Sequence, residues 1–378
     1  GNISLGGAGK TPFTIALSNF LKNQRGFSVG VVTRGYGRKT KGYRRVTHLE
    51  SAESVGDEPL EIYNAVNQNV GKIQNENSNQ ILSSEASILS PLSRIKDTYQ
   101  INQSPVFVCE DRILGISNIQ QTDPNINMVL LDDGFQHLKL SALGNVVLTK
   151  YQKPFSQDMP LPAGNLREFP HASKNADIIL VTHSPNNLSL TDANKWKAKL
   201  NRQLGFWGVK PGSAKWVNDI YFASYFTTEP IEQSSLNRYS TDGKRLGKGG
   251  KIILITGVAD ASGIVNALNE YSIFHHFEYA DHHSFSTSDL TTWQKKYNQS
   301  LQSKDIDVGI TNQDKNNCVF VCTRKDYMRI MSLCKANSNS ANFSNLPFYV
   351  CHSEIEILFN EKHQLLNKIL TRKLNDSF

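Results

Sequence analysis

Apolar positions along this chain come in short blocks separated by longer mixed stretches. Val29-Gly30-Val31-Val32-Thr33, Val106-Phe107-Val108, Met128-Val129-Leu130-Leu131, Val146-Val147-Leu148-Thr149 and Ile178-Ile179-Leu180-Val181 are each apolar almost throughout. Such runs suit strands buried on both faces, and the helix-compatible segments between them predict a largely parallel sheet of βα units. In a sheet of this kind functional residues gather at the carboxyl ends of the strands.

Two polar stretches interrupt the pattern. Between Asn67 and Ser104 the composition turns to Asn, Gln and Ser, which predicts a surface insertion over 67–104, partly disordered and without chemistry of its own. The second stretch, Glu229 to Gly250, ends in Gly247-Lys248-Gly249-Gly250 ahead of a fresh apolar run, Ile252-Ile253-Leu254-Ile255-Thr256-Gly257. A new α/β unit is expected there. The expected division is therefore a domain over 1–228 and a smaller α/β domain over 229–378, with further strands at Val319–Thr323 and Phe348–Cys351. A length of 378 residues, more than one ordinary core, agrees with two domains.

Charge narrows the partners only slightly. With 41 Lys and Arg against 34 Asp and Glu, the net charge of +7 suits anionic partners of several kinds. Six basic residues and no acidic one fall between Arg34 and Arg45, a loop able to attract a phosphorylated substrate or an anionic membrane surface, or simply to be solvated. The five cysteines lack C-x-x-C spacing and read as reduced thiols. No apolar run reaches the roughly 18 residues that span a bilayer, which leaves peripheral attachment open.

Chemistry enters with Gly6-Gly7-Ala8-Gly9-Lys10-Thr11-Pro12, followed by the helical Thr14-Ile15-Ala16-Leu17. A glycine-rich loop opening a helix presents backbone N–H groups, a lysine and a hydroxyl to a nucleotide triphosphate and its Mg²⁺. Ser4 stands where the generic pattern has its first glycine. The run Met128–Leu131 ends in Asp132-Asp133-Gly134, two carboxylates at a strand end, as the metal partner of such a loop requires, although Asp-Gly alone also makes a turn. Val55-Gly56-Asp57-Glu58-Pro59 places Asp57 either in a cleft or at a helix N-cap. In Pro160-Leu161-Pro162-Ala163-Gly164-Asn165-Leu166-Arg167-Glu168, Arg167 could meet a phosphate and Glu168 a metal shell, or the two could form a surface ion pair. Asp281-His282-His283 is a weak signal by itself. Loop and strand pattern together predict an α/β, P-loop NTPase-like fold: a mostly parallel sheet flanked by helices, with the second, smaller α/β domain.

Taken in order with Thr33-Arg34-Gly35-Tyr36-Gly37 and Asp132-Asp133-Gly134-Phe135-Gln136-His137, these motifs resemble the tetraacyldisaccharide 4'-kinase family, the lipid A kinases of Gram-negative bacteria. The likeness spans nearly the whole chain and accounts for Ser4. It implies transfer of the ATP γ-phosphate to the 4'-hydroxyl of a tetraacylated glucosamine disaccharide 1-phosphate, giving lipid IVA at the cytoplasmic face of the inner membrane. By the same resemblance, Gly6, Gly7, Ala8, Gly9, Lys10 and Thr11 hold ATP, with Arg112, Gln136 and Arg167 close by. Thr11, Asp132, Asp133 and Glu168 serve Mg²⁺, and Lys10 is also catalytic. Asp57 is the general base, paired with His282 or, as an alternative, His283. Expected partners are the lipid and the cytoplasmic leaflet, with no nucleic acid and no obligate protein.

A P-loop GTPase switch is the main rival, but after Ile178–Val181 the chain reads Thr182-His183-Ser184-Pro185, without the lysine and aspartate of a guanine-reading motif. A non-catalytic nucleotide scaffold leaves Lys10 and Asp57 without a task. Two departures from the family stand out, the length of 67–104 and the loose fit of Gly257-Val258-Ala259-Asp260-Ala261 to the family's glycine-led loop. The chain opens at Gly1 with room for only the tail of the strand that feeds the loop, so it reads as N-terminally truncated, any membrane-engaging segment having preceded it.

Overall fold

The computed structural model describes residues 1–67, 104–209, 219–233, 243–258, 260–281, 283–302, 318–336, 343 and 346–371. In chain order the strands are β1 (Val29–Thr33), β2 (Arg44–Arg45), β3 (Val106–Val108), β4 (Met128–Leu131), β5 (Val146–Lys150), β6 (Ile178–Thr182) and β7 (Ile220–Thr227). They continue with β8 (Ile231–Gln233), β9 (Lys251–Thr256), β10 (Ser272–Glu278), β11 (Val319–Thr323), β12 (Phe348–Cys351) and β13 (Ser353–Ile357). The helices are α1 (Lys10–Arg25), α2 (Ala52–Val55), α3 (Asp57–Val66), α4 (Arg112–Thr122), α5 (Leu190–Phe206), α6 (Ser262–Ala267), α7 (Thr287–Gln302), α8 (Arg324–Ala336) and α9 (Lys362–Thr371).

The strands form three sheets, ordered β2-β3-β1-β4, β13-β7-β6-β5 and β10-β9-β11-β12-β8. Pairing is parallel except at β2, β13 and β8, each an antiparallel edge strand. The continuous apolar runs behave as expected, with every residue of β1, β6, β11 and β12 buried. Asn2 extends the second sheet by a parallel bridge to Leu148, whose N–H donates to Gly1 O at 2.9 Å.

Helix α1 starts at Gly9 (φ +79°) and stops at Gly26 (φ +67°), both in the left-handed region that a side chain disfavours. The Gly26 N–H returns to Leu21 O and Lys22 O, and Lys22 and Arg25 place positive charge at the negative end of the helix dipole. Phe13, Leu17, Phe20 and Leu21 recur at helical spacing and bury against Leu148, Leu180 and Tyr221 of the second sheet and Leu365 and Leu366 of α9. Each such side chain contributes about 1.5–3 kcal/mol. A larger core runs without a break from Val31, Leu60 and Val108 to Ile253, Trp293, Phe320 and Tyr327, so α3 and α8 face one another across it.

Most of the polar stretch 67–104 lies outside the described residues, but its two ends are on view. Asn67 Nδ2 donates to Ser104 O at 3.0 Å and accepts at Oδ1 from Ser104 N–H at 2.9 Å, closing the excursion at its base.

Candidate active site

Two motifs about 160 residues apart are joined by backbone. Leu5 N–H donates to Asn165 O at 2.7 Å, Arg167 N–H donates to Ile3 O at 2.8 Å, and Ser4 bridges Leu166. The loop 160–168 is thereby fastened along the strand that leads into the glycine-rich loop. That loop carries Gly6 and Gly9 at positive φ. Asn2 Nδ2 holds Gly6 O at 3.2 Å and the Tyr225 phenol holds Gly9 O at 2.7 Å. A Cβ on Gly9 would overlap the Tyr225 oxygen, so glycine is required there for close approach as well as for φ.

Where β4 emerges, the acidic pair meets the lysine. Lys10 Nζ sits 2.9 Å from Asn2 Oδ1 and 3.2 Å from Asp133 Oδ1. Arg167 Nη1 donates to Asp133 Oδ2 at 2.8 Å, and Thr14 Oγ1 donates to Asp132 Oδ1 at 3.0 Å. Gln136 Nε2 donates to both Asn2 O and Glu168 Oε1 at 2.9 Å, which ties Glu168 to the same corner. The two aspartates differ electrostatically. Burial pushes Asp132 up, with the Lys10 charge opposing. Burial acts the same way on Asp133, but there Lys10 and then Arg167 prevail and hold it below the usual carboxylate range. Charging Asp132 as well is favoured by a further cation, and carboxylate and hydroxyl oxygens are the donors Mg²⁺ prefers, although among the described residues no three His, Cys, Asp or Glu side chains are grouped closely enough to hold a metal ion. Thr11 is half-buried in the first turn of α1.

Asp57 opens α3 and is buried. Its Oδ1 accepts from Glu58 N–H at 3.0 Å. Its Oδ2 receives Arg329 Nε at 3.0 Å and Nη2 at 2.5 Å. His282 lies outside the described residues. His283 stacks on Tyr279 with ring centroids 4.4 Å apart, and its Nε2 lies 3.6 Å from Asp289 Oδ2. Glu58 connects the two halves of the site electrostatically. Burial first, then the charges of Asp132 and Asp57, push its carboxyl up to about 7 against the pull of Lys325 and Lys10.

Several expected residues sit in unexpected company. Arg112 is buried, and its Nη1 donates to Cys109 O at 2.7 Å and Glu110 O at 3.2 Å, so its described hydrogen bonds fasten the end of β3 while its charge acts on Asp132 and Asp133 through space. Arg167, expected at a phosphate, meets Asp133. In the basic loop, Arg38 pairs with Glu110, Lys39 with Glu53, Arg44 with Glu50 and Arg45 with Asp123. Asn2, Thr14, Tyr225 and Arg329 were not singled out from the sequence. Asn2 lay inside the loop motif, but nothing local marks Tyr225 or Arg329.

The sequence profile of the family described as tetraacyldisaccharide-1-P 4'-kinase (LpxK) matches residues 1–88 and 98–375. The chain belongs to that family. Within the LpxK family, the tetraacyldisaccharide 4'-kinase of Cytophaga hutchinsonii is 28% identical over 374 residues, covering 98% of this chain and 84% of that protein. The Bacteroides fragilis enzyme of the same name is 29% identical over 376 residues, covering 98% and 82%. A crystal structure of an "apo" form of LpxK from Aquifex aeolicus in complex with ATP shares the fold, with a TM-score of 0.58 and 19% identity over 98% of this chain and 87% of the other. The LpxK profile leaves out residues 89–97, which lie within the polar stretch 67–104.

Proposed function

We propose that this chain transfers the γ-phosphate of ATP to the 4'-hydroxyl of a tetraacyldisaccharide 1-phosphate, forming lipid IVA in lipid A biosynthesis. The observation that carries the reading is the convergence of Lys10, Asp132, Asp133, Arg167 and Glu168 at one corner, in a chain that matches the kinase family over residues 1–88 and 98–375. ATP would lie on the Gly6–Thr11 loop, with Lys10 on its β- and γ-phosphates. Arg167 and Gln136 flank it, and Arg112 adds positive potential from behind. Thr11, Asp132, Asp133 and Glu168 would hold Mg²⁺, which when bound neutralises charge developing on the phosphates.

Asp57 accepts the proton of the sugar hydroxyl, with His282 as its partner and His283 as the alternative. A sugar alcohol is a weak acid, but in a loose phosphoryl-transfer transition state its proton leaves late, so a carboxylate of ordinary basicity suffices if it is well placed. The acyl chains hold the substrate in a membrane, and the location we propose is the cytoplasmic leaflet of the inner membrane. No helix among the described residues is long and apolar enough to cross a membrane. Residues 1–228 would supply Asp57 to the site and residues 229–378 His282, although β13 and α9 of the second segment pack on β7 and α1 of the first.

The test is transfer of γ-³²P from ATP to a tetraacyldisaccharide 1-phosphate in detergent micelles with Mg²⁺, against GTP and a no-lipid control. A labelled lipid is expected, abolished in Lys10→Ala and slowed in Asp57→Ala with ATP affinity kept. Hydrolysis without lipid labelling, with GTP preferred, would overturn the assignment in favour of a switch protein.

A further inference from the structure

The contact that dominates Asp57 comes from α8. Arg329 reaches its Oδ2 with two nitrogens, Nε and Nη2. The third, Nη1, donates to Gly257 O and to Asp326 Oδ1, both at 3.1 Å. Asp326 is itself fully buried and fixed from behind, accepting at Oδ2 from Thr323 Oγ1 at 2.7 Å and from Gly257 N–H at 3.1 Å. The guanidinium is thus clamped on one side by a buried carboxylate and a backbone carbonyl, and presents a rigid planar fork to Asp57 on the other. A Cβ on Gly257 would lie 3.0 Å from Asp326 Oδ1 and 3.4 Å from Arg329 Nη1, so the glycine that opens the loop after β9 lets this cluster close.

We propose that Arg329, backed by Asp326 and Gly257, is the positioning residue for Asp57, holding the carboxylate in the orientation and the charged form in which it takes the substrate proton. This inference rests on the reading of Asp57 as general base. Other charges surround the carboxylate. Glu58 and Glu61 lie on its own helix, and Arg324 and Lys325 join Asp326 on α8. Asp132 and Lys10 act from the phosphate side on Glu58. Among these, Arg329 makes the described side-chain hydrogen bonds to Asp57, so its removal is expected to change the base more than loss of a remote charge.

The experiment compares Arg329→Ala, Arg329→Lys, Asp57→Asn and the Arg329→Ala/Asp57→Asn double variant in the lipid-labelling assay, with kcat followed against pH and ATP binding measured separately. Arg329→Ala should lower kcat tenfold or more at unchanged ATP affinity, and the acid limb of its kcat profile should move upward by about one pH unit or more, because an adjacent guanidinium normally lowers an aspartate by that much. Arg329→Lys should recover part of the rate. In the Asp57→Asn background Arg329→Ala should add less than a twofold loss. A slow Asp57→Asn beside an Arg329→Ala with the original kcat and pH profile overturns the inference alone. So does an Arg329→Ala effect that multiplies in full with that of Asp57→Asn. An Asp57→Asn with undiminished kcat overturns the reading of the base, and the inference with it. Should Arg329→Ala fail to fold, Arg329→Lys decides: reduced kcat at unchanged ATP affinity supports the assignment, and undiminished kcat overturns it.

Discussion

Replacing Gly9 by alanine isolates how the phosphate loop is held. Gly9 has φ +79°, and an alanine there costs about 1–2 kcal/mol in backbone strain alone. Its Cβ would also overlap the phenol of Tyr225, which donates to Gly9 O at 2.7 Å. Tyr225 cannot retreat easily, because β7 is paired on both sides, with β6 and β13, and the ring stacks on His183 at 4.7 Å. The exposed glycine loop therefore yields, losing that hydrogen bond at about 1 kcal/mol more. The sum, about 2–3 kcal/mol, corresponds to roughly 30- to 150-fold weaker ATP binding if the displaced loop must be drawn back to grip phosphate. The control is Gly26→Ala. Gly26 also has positive φ, but a Cβ there meets nothing within 4 Å, so this variant should lose about 1–2 kcal/mol of stability and keep its ATP affinity. Calorimetric titration with ATP and thermal unfolding of both variants give the comparison. If Gly9→Ala binds ATP as tightly as the parent chain, the Tyr225 brace does not shape the loop.

Glu58→Gln carries a pH signature. In the folded chain without nucleotide or metal, Glu58 keeps its proton up to about pH 7 against an ordinary value of 4.5, so the native state binds more protons across that window and stability falls as pH rises through it. The variant should gain up to about 3 kcal/mol over the parent above pH 7 and nothing below pH 4.5, as read from denaturant unfolding at several pH values; an equal gain at both ends would refute the assignment. Thiol labelling of the native chain should proceed first at half-buried Cys334, since Cys109, Cys318, Cys322 and Cys351 are buried and burial pushes Cys351 up to about 12. Simultaneous fast reaction of all five would contradict the packing.

The central strands were legible because burial on both faces demands apolar residues without interruption, as in Val29–Thr33 and Ile178–Thr182. Edge strands β10 and β13 escaped notice for the converse reason. Ser-Ile-Phe-His-His-Phe-Glu is only partly buried, and Ser-Glu-Ile-Glu-Ile alternates, as a strand with one wet face does. β7 is central, but Ala223 and Ser224 break its apolar run. The phosphate loop, the acidic pair and Arg167-Glu168 were readable because each is a local motif whose spacing is set by one turn. Asp57 could be read as an N-cap or as a cleft residue; the structure makes Gly56 the N-cap and places Asp57 at the first position of α3, its carboxylate bonded to Arg329 of α8. Its partner Arg329 is 272 residues away and Tyr225 is 216 residues from Gly9, separations across which no periodicity or spacing carries a signal.

The packing of α1 against α9 sets an order of assembly. Phe20 and Leu21 of α1 complete their cover only with Leu365 and Leu366, while the ring of Phe20 meets His363 at 5.9 Å. At bacterial translation speeds the intervening chain takes on the order of tens of seconds to emerge. Throughout that interval α1 carries an apolar strip lacking part of its cover, a stretch on which a nascent-chain chaperone can act. Full cover of α1 thus waits until α9, about 340 residues later, has been made.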